Sequence, residues 1–189
     1  VSLADLYYGR EKVGDFDLDL DLSTNASGTI RATTSLMVDG VKTITASGNL
    51  NDSTAVNPFM LDFKMIHFPL SVVNPFLPQG TARLHGMLNG EMDITGKMSE
   101  PLFNGWVQFD STAVDMTMLG SSFVFSEERI PVKDNLVTFD DFAIKAVNEH
   151  PLTITGTADI SSLADIKVDL ALAASNTQLV GSKRKKGQD

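Results

Sequence analysis

The chain has 189 residues, no cysteine and a net charge of −9, with 42% hydrophobic and 21% charged residues. That length suits one large domain or one extended β unit, and the composition is that of a chain that folds. Without cysteine there are no disulfides, thiolate metal sites or cysteine nucleophiles, and the acidic balance repels nucleic acid phosphates.

The final Lys183-Arg184-Lys185-Lys186 run with Asp189 contributes +3 and leaves −12 on residues 1–182. The reading is a single β unit over 1–182, expected to be a segment of a larger protein, followed by a solvated basic tail or linker over 183–189. No apolar run approaches the roughly 20 residues that span a bilayer, and no signal peptide opens the sequence. Any anchor or export signal is therefore expected outside this segment.

Along the chain the dominant signal is a period of two. In Asp15-Phe16-Asp17-Leu18-Asp19-Leu20-Asp21-Leu22 apolar residues and carboxylates alternate, which puts four aspartates on one strand face and the apolar residues on the other. The turn formers Asn25-Ala26-Ser27-Gly28 end this run. Alternation resumes at Ile30 to Val38, and Asp39-Gly40 is a two-residue hairpin signal. Asn51-Asp52-Ser53 punctuates before Leu61-Phe63-Met65. The segment from Pro69 to Gly80 carries three prolines and cannot be a central strand, because each removes a ladder donor. A short helical turn from Leu70 to Asn74, ended by Pro75 and placing a helical element near 70–76, is predicted as an apolar plug or cap.

Further runs follow at Leu84 to Ile94, Val107-Phe109, Phe123-Phe125, Val137-Phe139, Leu152-Ile154 and Ile166-Val168-Leu170-Leu172, with turn residues at Lys133-Asp134-Asn135 and Asn148-Glu149-His150-Pro151. The pattern predicts an all-β chain of ten or more strands, mostly an antiparallel meander. Glycine recurs inside the runs, at Gly48, Gly86, Gly90 and Gly156. Glycine weakens a strand, so its recurrence points to a bend in the sheet, an unfilled channel, a bulge or tight packing.

Catalytic and metal signatures are missing. Asp15-x-Asp17-x-Asp19 starts like a calcium loop, but Leu20 and Ala26 stand where that loop needs Gly and Glu. The ladder reads as an exposed strand face whose charges protect an edge. His67, His85 and His150 lack zinc spacing. Asp140-Asp141 could be a carboxylate pair, but strand neighbours point to opposite faces. Trp106 falls on the parity opposite Val107 and Phe109, and reads as a packing anchor at the strand end, the alternative being an outer residue covered by a neighbouring element or a partner. No enzyme, cofactor or metal is expected.

A longer pattern runs Leu84-x-Gly86-x-Leu88-x-Gly90-x-Met92-x-Ile94-x-Gly96, then Pro101 and Gly105-Trp106-Val107. It continues through Val114-Asp115-Met116-x-Met118-Leu119-Gly120-x-x-Phe123, Val137-x-Phe139-Asp140-Asp141-Phe142-x-Ile144 and Leu152-x-Ile154-x-Gly156. Over about residues 80 to 175 this resembles the AsmA-like superfamily of bridge-like lipid transfer proteins, in particular the C-terminal region of the TamB (translocation and assembly module) family. The resemblance implies a long, strongly curved sheet folded as an open taco, whose apolar lumen accommodates phospholipid acyl chains. It further implies a periplasmic location, a parent protein anchored in the inner membrane, lipid movement between inner and outer membranes, and a role in outer-membrane protein assembly with a barrel partner.

Under that resemblance the lipid-facing wall would be Phe16, Leu18, Leu20, Leu22, Phe63, Met65, Leu84, Leu88, Met92, Ile94, Val107, Phe109, Phe123, Phe125, Val137, Phe139, Phe142, Ile144, Leu152, Ile154, Val168 and Leu170. Periodicity alone favours an ordinary closed core, as in a β-sandwich binding or scaffold module of a secreted or surface protein. The resemblance favours the open groove.

Overall fold

The computed structural model describes residues 1–26, 28–51, 59–78, 80–97, 99–118, 120–146, 151–162 and 164–174. Among them are twelve strands: β1 (Ser2–Tyr8), β2 (Glu11–Thr24), β3 (Ile30–Val38), β4 (Val41–Leu50), β5 (Phe59–Pro69), β6 (Ala82–Lys97), β7 (Glu100–Met116), β8 (Ser121–Phe125), β9 (Arg129–Lys133), β10 (Leu136–Lys145), β11 (Pro151–Asp159) and β12 (Lys167–Ala174). All belong to one antiparallel sheet in which sequence neighbours are spatial neighbours. The departure is at β8 and β9, which share one position between β7 and β10. The sheet has eleven strand positions and runs from β1 to β12 without closing. The expected all-β meander is thus formed. The closed sandwich or barrel is not, since among the described residues a single sheet has neither a second sheet across its face nor a pairing between its two ends.

Turn chemistry fixes the register. Asp39 and Gly40 (φ 50° and 78°) and Asp134 and Asn135 (φ 50° and 68°) both take left-handed conformations, the geometry of a hairpin turn that matches strand twist. At the β2–β3 connection the Asn25 side chain accepts from the Thr29 N–H at 2.9 Å. The expected turns near 52–53 and 148–150, His150 itself and the basic tail over 183–189 lie outside the described residues.

Two devices bend the sheet. Asp5, His67, Ser111 and Asp141 have φ near +50° where the register shifts, so each strand carries a bulge. Nearby side chains, two on neighbouring strands and one in the β8–β9 connection, take the freed N–H groups: Asp5 donates to Asp15 Oδ1 at 2.6 Å, His67 to Asn89 Oδ1 at 2.7 Å and Ser111 to Glu127 Oε1 at 3.0 Å. The extra residue also restores parity, so Phe139 and Phe142 share a face although they are three apart. This bears on Asp140-Asp141, where the opposite-face argument fails: the two residues form the bulge itself, and Asp141 accepts from the Thr155 hydroxyl at 2.8 Å.

The second device is glycine at close approach. A Cβ on Gly48 would lie 2.0 Å from the Met60 carbonyl oxygen, and one on Gly105 would lie 2.0 Å from that of Glu91. In both cases the partner strand has moved onto the apolar side and occupies the side-chain space. The sheet therefore folds toward its apolar face at the β4–β5 and β6–β7 lines.

Most of the larger buried apolar side chains fall in two small regions. In the first, Val72 of a 3-10 helix over Leu70–Phe76 packs with Val13 and Val38, beside Phe16, Leu36 and Phe68. The helix occupies the expected 70–76 segment, but Pro75 lies inside it instead of ending it, and its last turn closes through the Leu77 N–H on the Asn74 carbonyl. Asn74 docks it: its Nδ2 donates to the Leu84 carbonyl at 2.9 Å and its Oδ1 accepts from the Leu84 N–H at 2.7 Å. In the second region Phe123, Ile130, Val132 and Phe142 are buried, and the Phe109, Phe125, Phe139 and Phe142 rings meet with centroids 5.0 to 6.4 Å apart.

Candidate functional site

Register and alternation place all the residues expected on the apolar wall on one face of the sheet. One row shows this without interruption: Leu20, Thr34, Ala46, Phe63, Met92, Gly105, Val132, Val137, Ala158 and Val168 are successive cross-strand partners from β2 to β12. Thr34 is the single polar member, and its hydroxyl donates to the Asp19 carbonyl. The parallel row from Leu18 passes through Leu36, Ile44, Met65, Gly90 and Val107 to Ile130. Sequence reasoning missed Leu36, Ile44, Phe68, Phe103, Ile130 and Val132 as wall residues. Leu36 lay in a run already read as alternating, so its parity could have found it, whereas Ile130 and Val132 sit in a five-residue strand too short to show a period.

The wall is not filled like a core. Of the expected residues, Phe123 and Phe142 are buried, whereas Leu18, Leu20, Leu22, Val168 and Leu170 are exposed, Leu20 by 62% and Val168 by 65%. The other fifteen are half-buried. Burial is concentrated beneath the 3-10 helix and in the phenylalanine cluster, and the apolar surface between and beyond them is open.

The opposite face is polar and partly paired. Lys12 bridges Asp5 at 3.0 Å and Asp15 at 3.1 Å, and Lys64 reaches Glu91 at 3.3 Å. The Asp5 N–H and then the Lys12 ammonium hold the Asp15 carboxyl below its ordinary value, and Asp5 followed by Asp15 pushes Lys12 up. Asp115 is lowered first by the Ser122 hydroxyl and then by His85. His85 Nε2 lies 2.9 Å and His67 Nε2 3.7 Å from an aspartate, Asp115 and Asp110 respectively, and both histidines are exposed. Asp19 and Asp21 lie where β2 pairs with β3 alone among the described residues, so they do guard a strand edge. A shallow hollow of about 380 Å³ over β2–β5 is lined mostly by polar residues such as Thr33, Ser35, Thr45 and Ser47, together with Leu20, Thr34 and Ala46 of the apolar row.

Trp106 is on the polar side as its parity implies, and its cover is the Arg129 guanidinium, 3.9 Å from the ring centroid. Among the described residues no group of three or more His, Asp or Glu could hold a metal ion, and no helix is long and apolar enough to cross a membrane. Chemically the arrangement offers a broad apolar contact surface with its polar groups turned away. No protein-family model, no curated protein and no solved structure matches this chain.

Proposed function

We propose that this chain is a lipid-binding and lipid-conducting segment of a larger periplasmic, TamB-like bridge that moves phospholipid between inner and outer membranes, with a role in outer-membrane protein assembly through a barrel partner. The observation that carries the reading is the row from Leu20 to Val168, apolar but for Thr34, on a largely open face, joined to the glycine-punctuated resemblance from Leu84 to Gly105. Each buried CH₂ contributes about 0.8 kcal/mol, so a long acyl chain on such a face gains on the order of 10 kcal/mol gross without any fixed polar contact. A surface of this kind holds a chain yet lets it slide. Methionines such as Met65 and Met92 on the wall suit chains of varied shape.

The test is photo-crosslinking from Leu20 and Leu88 in bacterial cells, with native mass spectrometry of the purified protein. Phospholipid adducts at both positions and co-purified lipid are expected. A folded protein that carries no lipid and labels none at either position refutes the assignment and leaves a scaffold role. Leu88→Asp, a charge on the wall, is expected to block lipid occupancy.

A further inference from the structure

The ladder between β9 and β10 is short. It joins Lys133 to Leu136 and Val132 to Val137, and β10 is next paired at Ile144, with Phe125 of β8. Three local features hold the strands apart in between. Pro131 has no N–H to give, Ser126–Glu128 interrupt the shared strand position, and the Asp140–Asp141 bulge bends β10 away. The result is a slot of about 360 Å³ lined from both faces of the sheet, by Phe139 and Phe142 of the apolar side and by Glu128, Arg129 and Asp140 of the polar side.

Its charges are uncommitted. Among the described residues the Arg129 guanidinium stacks on Trp106 but forms no ion pair or hydrogen bond, and the carboxylates of Glu128 and Asp140 have no partner either. A stacked guanidinium has its fork oriented in advance for the oxygens of a phosphodiester. The two carboxylates beside it disfavour a ligand that is only anionic and provide for an ammonium group.

We infer that this slot seats the zwitterionic headgroup of a phospholipid, with the phosphodiester on Arg129, the ammonium on Asp140 and Glu128, and the acyl chains laid over Phe139 and Phe142. The inference rests on the lipid reading of the apolar face and adds to it a headgroup preference and a place in the wall. A lipid held there spans the sheet, with its polar end outside the trough.

Trp106 is the sole tryptophan, so its emission reports on the slot. The full chain is titrated with monomeric short-chain phosphatidylethanolamine, with phosphatidylglycerol of the same chains, and with glycerophosphoethanolamine, and occupancy is read in parallel by native mass spectrometry. Phosphatidylethanolamine is expected to bind at least about tenfold more tightly than the other two. Arg129→Gln is expected to weaken it by about tenfold or more, the scale of a charge-assisted hydrogen bond. The exposed pair Glu128→Gln with Asp140→Asn should abolish the preference over phosphatidylglycerol. Circular dichroism checks each fold, and if Arg129→Gln does not fold, the carboxylate pair carries the test. Equal binding of the two lipids to the unaltered chain overturns the inference, as does an unchanged midpoint in folded Arg129→Gln. Glycerophosphoethanolamine binding as tightly as the lipid overturns the lipid assignment of the slot. Lipid labelling at Leu20 without headgroup preference sinks only this inference, whereas loss of labelling at Leu20 and Leu88 sinks the lipid reading beneath it.

Discussion

Replacing Leu20 and Leu22 by serine separates an open wall from a packed core. Complete burial of a leucine is worth about 1.5–3 kcal/mol. Leu20 is 62% and Leu22 60% exposed, so each has withdrawn only about two-fifths of its surface from water. Leu20→Ser and Leu22→Ser should therefore each cost about 1 kcal/mol. A leucine in a filled interior would cost about 2–5 kcal/mol on truncation, and Phe142→Ala, at a side chain 4% exposed within the phenylalanine cluster, should cost about 3–5 kcal/mol. The assay is urea unfolding, comparing midpoints at constant slope, with retained lipid measured on the same preparations. The leucine variants are expected to stay folded and to lose lipid. If Leu20→Ser destabilises as much as Phe142→Ala, the leucines are packed and the trough is not open. If the double variant keeps its lipid, that part of the face does not contact it.

Gly48→Ala tests the bend. Its Cβ would meet the Met60 backbone oxygen at 2.0 Å, so a loss of at least about 2 kcal/mol is expected by urea unfolding, and a neutral result would mean the β4–β5 approach is looser than described. Asn74→Ala removes both bonds that dock the 3-10 helix on Leu84 and should cost about 1–3 kcal/mol. Amide exchange at Leu84 should accelerate, and unchanged protection there would refute the docking role. Asp15, Asp115 and Asp159 all have lowered pKa values in the folded chain. A lowered pKa stabilises above the unfolded value, near 4, and that stabilisation is lost as pH falls through the folded values. Stability should decline below about pH 4, and less steeply in Asp115→Asn. Superimposable pH profiles for the two proteins would contradict the assignment.

Much of this architecture was legible because a period of two leaves little choice once turns are marked. Asp15 to Leu22 declared both faces of β2, Asp39-Gly40 declared the β3–β4 hairpin, and the prolines after Phe68 excluded a strand where the helix lies. Strands β1, β4 and β9 did not stand out. The Ala4-Asp5 bulge breaks the period of β1, Thr and Ser dilute that of β4, and β9 has only five residues around Pro131. The bulges at His67, Ser111 and Asp141 were hidden because no glycine marks their left-handed backbone. Most wall residues followed from parity within each run, but Ile130 and Val132 did not, and only the Asp140–Asp141 bulge brings Phe142 onto the face of Phe139. The slot and the Trp106–Arg129 stack did not follow from parity, since both depend on which strands lie side by side and where their ladder stops.

The row from Leu20 to Val168 crosses the strands at right angles, so the length of the trough is measured in strands and not in residues per strand. At about 4.8 Å per strand spacing, eleven positions give a path of roughly 50 Å along the sheet. Each hairpin inserted into such a meander would add about 10 Å of path while leaving the cross-section unchanged. Reach and calibre are thus set by separate parts of the sequence: the number of hairpins sets the distance covered, and the side chains on one parity set what can travel along it.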